Sequence, residues 1–326
     1  MLPNTTSKGV KPVAHGGDLE DVRRRFPNAP QPWIDLSTGV NPVPYPLPPL
    51  LPECWARLPS SEDQRALIEA AAKRYGVDDP GMIVAAPGTQ ALIQLLPGLL
   101  PRSRVAIVGP TYEEHEVSWR RHGHEVTIVE RLPAKSDVTV LVNPDNPTGR
   151  LTPTSELESI KGLLVVDESF IDFCPRTASL AGRNAVVLRS FGKTYGLAGL
   201  RLGFAIADRP LATRLREQLG PWAVSGPALE IGRRALADDA WLTQAATRAA
   251  TDGKRLDELL SRAGFVIVGG TSLFRLARHP HAAKRVEALG HSGIHVRSFA
   301  REPSWVRFGL PVDDAAFARL ANALRG

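Results

Sequence analysis

The sequence predicts an α/β protein organised around an open, mostly parallel sheet, followed by a smaller α+β region. Three observations carry the prediction. Between residues 104 and 207, apolar runs of strand length alternate with more polar stretches, as in a sheet wound by crossover helices. The run Ala185-Val-Val-Leu188 is apolar throughout rather than on alternate residues, which is the pattern of a strand covered on both faces. Several of them end in a distinctive polar or aromatic residue, and the carboxyl edge of such a sheet is where ligands bind.

Composition narrows the function. The 326 residues are 43% hydrophobic and 23% charged, an ordinary balance for one large or two modest domains. Net charge is +6, from 40 Lys+Arg against 34 Asp+Glu, which suits an anionic partner. The tight basic clusters, Arg23-Arg24-Arg25 and Arg120-Arg121, have no interleaved aromatics, which argues for solvated faces and against nucleic acid. Cys54 and Cys174 have neither metal-site spacing nor a disulfide framework, so a reducing compartment and no metal are expected. Residues 1–11 lack the apolar core of a signal peptide, and no apolar run of about 18 residues could span a membrane. A cytoplasmic protein with no membrane partner is expected.

In chain order, residues 1–52 are rich in proline and read as an extended arm rather than a helix or central strand. The arm holds two turn-forming items, His15-Gly16-Gly17 and Ser37-Thr38-Gly39-Val40-Asn41-Pro42. Ser61 and Gln64 then read as a capping box for a helix whose apolar face is Leu67, Ile68, Ala71, Ala72 and Tyr75. The glycine turn at Gly88-Thr89-Gln90 feeds a helix over 92–100. The free N–H groups and dipole of such a start bind anions, although the same residues suit any helix entry. Strands are predicted at 104–108, 125–130, 138–142, 163–166, 185–188 and 204–207. Tyr112 follows the first and is placed either to stack on a ligand ring or to pack in the core. Asn143-Pro-Asp-Asn146-Pro-Thr-Gly149 is a tight turn after the third. Asp167 closes the fourth, where a carboxylate is costly unless paired. Helices over 211–219, 227–237 and 239–262 follow, then strands at 264–268, 272–276 and 294–296, and a last helix over 313–324. Arg297 and Arg307 lie in this half, and a guanidinium suits a carboxylate or a phosphate.

The chemistry centres on Ser190-Phe-Gly-Lys193, with Arg201 eight residues on. A hydroxyl, an amine and a guanidinium just past a strand end suit a phosphorylated aldehyde: the amine condenses with the aldehyde and the other two hold the phosphate. The Ser-x-x-Lys…Arg-x-Gly spacing, together with Asn-x-x-Asn-Pro-Thr-Gly, resembles the pyridoxal-phosphate (PLP) enzymes of the aspartate-aminotransferase fold. Within that superfamily, the His-Gly-Gly arm, the Ser-Thr-Gly-x-Asn-Pro turn and the Asp-Glu-x-Phe-Ile-Asp-Phe wording of residues 167–173 are similar to the threonine-phosphate decarboxylases of cobalamin biosynthesis. The resemblance covers essentially the whole chain.

That resemblance implies a set of roles. Lys193 would bond the cofactor, Asp167 would pair with its ring nitrogen, and Asn146 would bond its O3′. Gly88, Thr89, Gln90, Ser190 and Arg201 would hold its phosphate, and Tyr112 would stack on its ring. His15, Asn41, Arg297 and Arg307 would contact substrate. It further implies a PLP-binding large domain over 53–222, a small C-terminal domain over 223–326, an arm over 1–52 packed on the latter, and a homodimer. The implied reaction is decarboxylation of L-threonine O-3-phosphate; the alternative is transamination of histidinol phosphate or a related amino-acid phosphate. Two departures stand out. Relatives carry tyrosines where this chain has Leu58 and Phe170, so two phenolic cofactor contacts are absent.

Overall fold

Unbroken apolar runs become the inner strands of the molecule. The computed structural model describes residues 16–174 and 179–325. Its strands are β1 (Ile34–Leu36), β2 (Ile83–Ala86), β3 (Arg104–Val108), β4 (Glu125–Val129), β5 (Val138–Val142), β6 (Leu163–Asp167), β7 (Val186–Ser190), β8 (Gly203–Ile206), β9 (Val266–Thr271), β10 (Phe274–Arg278), β11 (Ile294–Ser298) and β12 (Trp305–Gly309). Seven form the larger sheet in the order β2-β8-β7-β6-β5-β3-β4. Only β8 runs antiparallel to its neighbours there. β5 lies near the middle with all five residues buried, as a strand covered on both faces requires. The smaller sheet has the order β1-β11-β12-β10-β9.

The proline-rich segment is not wholly extended. It contains a helix, Leu19–Arg25, and β1, which pairs in parallel with β11 at the edge of the smaller sheet. Two helix starts and stops differ from expectation. The capping box is Ser60 with Asp63: the Ser60 hydroxyl accepts from the Asp63 N–H while the Asp63 carboxylate accepts from the Ser60 N–H. The shorter acidic side chain, one register earlier, outcompetes Ser61 and Gln64. The helix after Gly88 runs Thr89–Leu95 and then tightens into a 3₁₀ turn, Leu96–Leu99. Pro97 has no N–H to offer the Ile93 carbonyl, and Ser118 Oγ donates to that carbonyl instead, at 2.8 Å. In the C-terminal part, Gly264 at φ +84° closes the long helix Asp239–Arg262, so β9 begins two residues later than predicted.

The segment that carries Lys193 is a helix of four residues, Phe191–Thr194. It is far too short to be stable by itself. An aromatic stack anchors it: Phe191 and Tyr195 lie 4.3 Å apart at 16°, and Tyr195 and Trp241 lie 5.4 Å apart at 14°. Phe191 and Tyr195 are completely or almost completely buried.

Candidate active site

The parallel strands present their carboxyl ends along one edge of the larger sheet, and the predicted residues gather there. Gly88 follows β2 and Arg201 precedes β8, its antiparallel neighbour. Gly88 has φ +85°, and a Cβ added to it would lie 2.5 Å from Arg201 Nη2. The guanidinium therefore rests against the glycine turn. Arg201 is itself in the left-handed region at φ +54° and donates to the Ala198 carbonyl at 3.1 Å. A Cβ on Gly203 would sit 2.5 Å from the Thr89 nitrogen, so the glycine lets β8 close on the helix start. Backbone N–H groups and a guanidinium thus share one small cradle, a donor set for a phosphate. Ser190 ends β7 opposite Gly203. The side chain of Gln90 is engaged elsewhere, donating to Glu114 at 2.8 Å and accepting from Tyr112 Oη at 3.1 Å.

Asp167 ends β6 with only 4% of its surface exposed. Burial alone would raise its carboxyl, but hydrogen bonds from His115 and Ser169 outweigh that and hold it below the usual range. His115 Nε2 lies 3.2 Å from Oδ2; the Ser169 N–H and Oγ donate to Oδ1 at 3.0 and 2.5 Å. The sequence reading did not find His115. Its signal was the spacing, since a histidine three residues after Tyr112 falls on the same face of the helix Glu113–Arg121. The next residue, Glu168, serves the structure: it accepts from Ser179 Oγ, the Leu180 N–H and Arg189 Nη1.

Lys193 retains some contact with solvent, yet its amine is desolvated, and this pulls it down to about 8. The positive charges of Arg307 and Arg201 push in the same direction, and the Asp167 carboxylate opposes them. At such a value about a tenth of the amine is neutral, hence nucleophilic, at pH 7, far more than at a lysine's ordinary value. It lies 5.5 Å from the centre of the Phe170 ring. Phe170 packs edge-on against Phe274, with centroids 5.1 Å apart, so the position carries packing and no hydroxyl.

Arg307, 8% exposed, donates to Asn146 Oδ1 at 2.5 Å and to the Ser37 carbonyl at 2.6 Å. Its Nε is buried without a protein partner. Burial first, and then the charge of Arg297, draw Arg307 down to about 10. Arg297 faces it across the β11–β12 pair. Desolvation also lowers Arg297, and its guanidinium lies over Phe299 at 5.7 Å. Two arginines in register across a strand pair, close enough for the charge of one to lower the other, have the donor chemistry that suits two negative groups.

Asn41 is 2% exposed, and both ends of its amide are engaged, with Thr194 and with Arg248. His15 lies outside the described residues. Leu58, where relatives carry a tyrosine, is 68% exposed. Among the described residues no group of His, Cys, Asp and Glu could hold a metal ion. The set that converges fits a phosphorylated aromatic aldehyde: a lowered amine, an amide-and-guanidinium cradle, and a buried carboxylate kept ionised for a ring cation.

Comparison with known proteins agrees with this reading. The family model for aminotransferase class I and II matches residues 53–324. A threonine-phosphate decarboxylase of Pseudomonas aeruginosa is 41% identical, over 96% of this chain and 98% of its own length. Another, from a Sinorhizobium species, is 42% identical with the same coverage of both chains. The crystal structure of histidinol-phosphate aminotransferase from Sinorhizobium meliloti in complex with pyridoxal-5'-phosphate superposes with a TM-score of 0.77 over 94% of each chain. At 20% identity, that likeness speaks for the fold.

Proposed function

We propose that this chain, which belongs to the aminotransferase class I and II family, is a PLP-dependent threonine-phosphate decarboxylase. It would convert L-threonine O-3-phosphate to (R)-1-amino-2-propanol phosphate and carbon dioxide, a step of cobalamin biosynthesis. The observation that carries the reading is the full-length likeness to two threonine-phosphate decarboxylases. The paired guanidiniums of Arg297 and Arg307 support it, because the substrate brings both a carboxylate and a phosphate.

PLP, when bound, supplies an aldehyde for the Lys193 amine and a ring that accepts electrons from a bond at Cα. The chain's own residues do the rest. Thr89 and Gln90, at the helix start, would offer backbone N–H groups to the cofactor phosphate, joined by the Ser190 hydroxyl and the Arg201 fork; the Gly88 N–H already donates to the Ala86 carbonyl at 2.7 Å, so that glycine would shape the turn rather than bond the phosphate. Asp167 is kept ionised by His115 and Ser169, and such a carboxylate would hold a proton on the ring nitrogen. Asn146 would bond O3′ without help from the phenyl ring at Phe170, and Tyr112 would offer an aromatic face to the ring. Arg307 holds the substrate carboxylate and Arg297 the phosphate, with His15 assisting. Their placement sets which bond at Cα stands across the ring, and orientation of this kind selects the reaction. The Lys193 amine, drawn down to about 8, is mostly protonated near pH 7 and would then have a proton to return to Cα once carbon dioxide leaves.

The working form is a cytoplasmic homodimer. Leu47, Leu51, Trp55, Leu58 and Trp222 are each more than half exposed, an apolar set that a second copy would cover. No described helix is long and apolar enough to cross a membrane. Turnover with threonine phosphate, followed by mass analysis of the product, tests the function. The amino-alcohol phosphate is expected; a phosphorylated keto acid would establish an aminotransferase instead.

A further inference from the structure

We infer that Asn41 and Asp172 form a buried polar clamp on the Lys193–Thr194 segment, acting as positioning residues that set where the lysine amine can react. The inference rests on the assignment of Lys193 as the cofactor lysine and goes beyond it.

The need for a clamp follows from the helix that carries the lysine. Four residues give almost no internal hydrogen bonding, so tertiary contacts must fix the Lys193 backbone. The structure supplies them from two sides. From the arm, the Asn41 N–H donates to the Lys193 carbonyl at 2.9 Å, and Asn41 Nδ2 donates to the Thr194 carbonyl at 2.9 Å. Arg248, on the helix Asp239–Arg262, donates to Asn41 Oδ1 at 2.8 Å and so fixes the amide's orientation. From the other side, Thr194 Oγ1 donates to Asp172 Oδ2 at 2.6 Å. Asp172 is ion-paired with Arg189, which also donates to Glu168 at 3.0 Å. Glu168 is the residue next to Asp167. One chain of buried bonds therefore joins the segment bearing the amine to the strand end bearing the carboxylate.

Burial makes this arrangement specific. Thr194 is 1% exposed, Glu168 2% and Arg189 5%, and the Asp172 side chain 9%, so solvent has little access to these bonds. Buried charges of this kind add little net stability over an apolar packing of the same volume. What they fix here is geometry, and a misplacement of about 1 Å at a reacting group can cost about 100-fold in rate. Asn41 therefore acts on the lysine segment through its backbone N–H and one N–H of its side-chain amide.

The reacting step is condensation: Lys193 Nζ bonds to the cofactor aldehyde carbon and water leaves. Apoprotein of the wild type and of Thr194→Ser, Thr194→Val and Asn41→Asp would be mixed with PLP. The lysine–cofactor bond would be followed by its visible absorption and by borohydride trapping at Lys193. Thr194→Ser keeps the hydroxyl and should form the bond within about threefold of the wild-type rate. Thr194→Val, and Asn41→Asp, which turns a donor toward the Thr194 carbonyl into an acceptor, should each be slower by about tenfold or more. Apoprotein melting temperatures are measured alongside, and that of Thr194→Val should change little. Wild-type rates in both disruptive variants would overturn the clamp and leave the aromatic stack as the sole anchor. Equal slowing in Thr194→Ser, in step with lost thermal stability, would overturn it as well. If the wild type itself forms no trappable bond at Lys193, the cofactor assignment falls and the clamp with it.

Discussion

Replacing Gly88 by alanine tests the anion cradle at its tightest point. The residue sits at φ +85° and ψ 156°, a region essentially confined to glycine, where a side chain costs about 1–3 kcal/mol. Its new Cβ would meet Arg201 Nη2 at 2.5 Å and the guanidinium carbon at 3.0 Å. Covalent geometry gives no room for that contact, so the arginine must swing away from the turn. A charge-assisted hydrogen bond is worth about 1.5–3 kcal/mol, and losing one from Arg201 to the cofactor phosphate should weaken PLP by that amount. At about 1.4 kcal/mol per factor of ten, the dissociation constant should rise between about 10-fold and about 150-fold. Titration of apoprotein with PLP, read by absorption, gives the constant directly, and a melting curve separates the backbone cost from the binding cost. Native affinity in Gly88→Ala would show that Arg201 and the glycine turn do not hold the phosphate.

Four further outcomes follow from the site. Because the Lys193 amine is drawn down to about 8, the rate of cofactor bonding should rise about tenfold per pH unit below 8 and level off above it. Removing a cation that depresses it, as in Arg307→Gln, should move that midpoint upward; an unchanged midpoint would mean that burial alone sets it. Asp167→Ala should lower kcat by at least about 100-fold with little change in substrate affinity, since the ring proton matters most at the transition state; near-normal kcat would make the carboxylate structural. Arg297→Ala should weaken threonine phosphate far more than unphosphorylated threonine in a binding titration, whereas equal losses would move the phosphate to Arg307.

Much of the fold and most of the site could be read locally. β3 to β8 are short, dominated by apolar residues and bounded by turn residues, and their ends lead into Tyr112, Asp167 and Lys193 at readable intervals. What escaped depends on partners distant in sequence. Asn41 bonds Thr194 across 153 positions and Arg248 across 207, and no periodicity announces such a pairing. β12 escaped because its five residues include Arg307, a buried charge in the middle of a strand. The capping box slipped by one residue because three candidate polar side chains follow one another at Ser60, Ser61 and Glu62, and hydrogen-bond geometry rather than composition chose among them. His115 was within reach of helical spacing alone, whereas its bond to Asp167, 52 positions on, required the fold.

The central claim is that the site breaks the bond from Cα to the carboxylate. A single turnover of threonine phosphate labelled at the carboxyl carbon, with the cofactor's absorption followed at the same time, addresses it most directly. All label should leave as carbon dioxide and the absorption of the lysine-bound cofactor should return. Label retained in a keto acid, with the cofactor left as pyridoxamine phosphate, would contradict it.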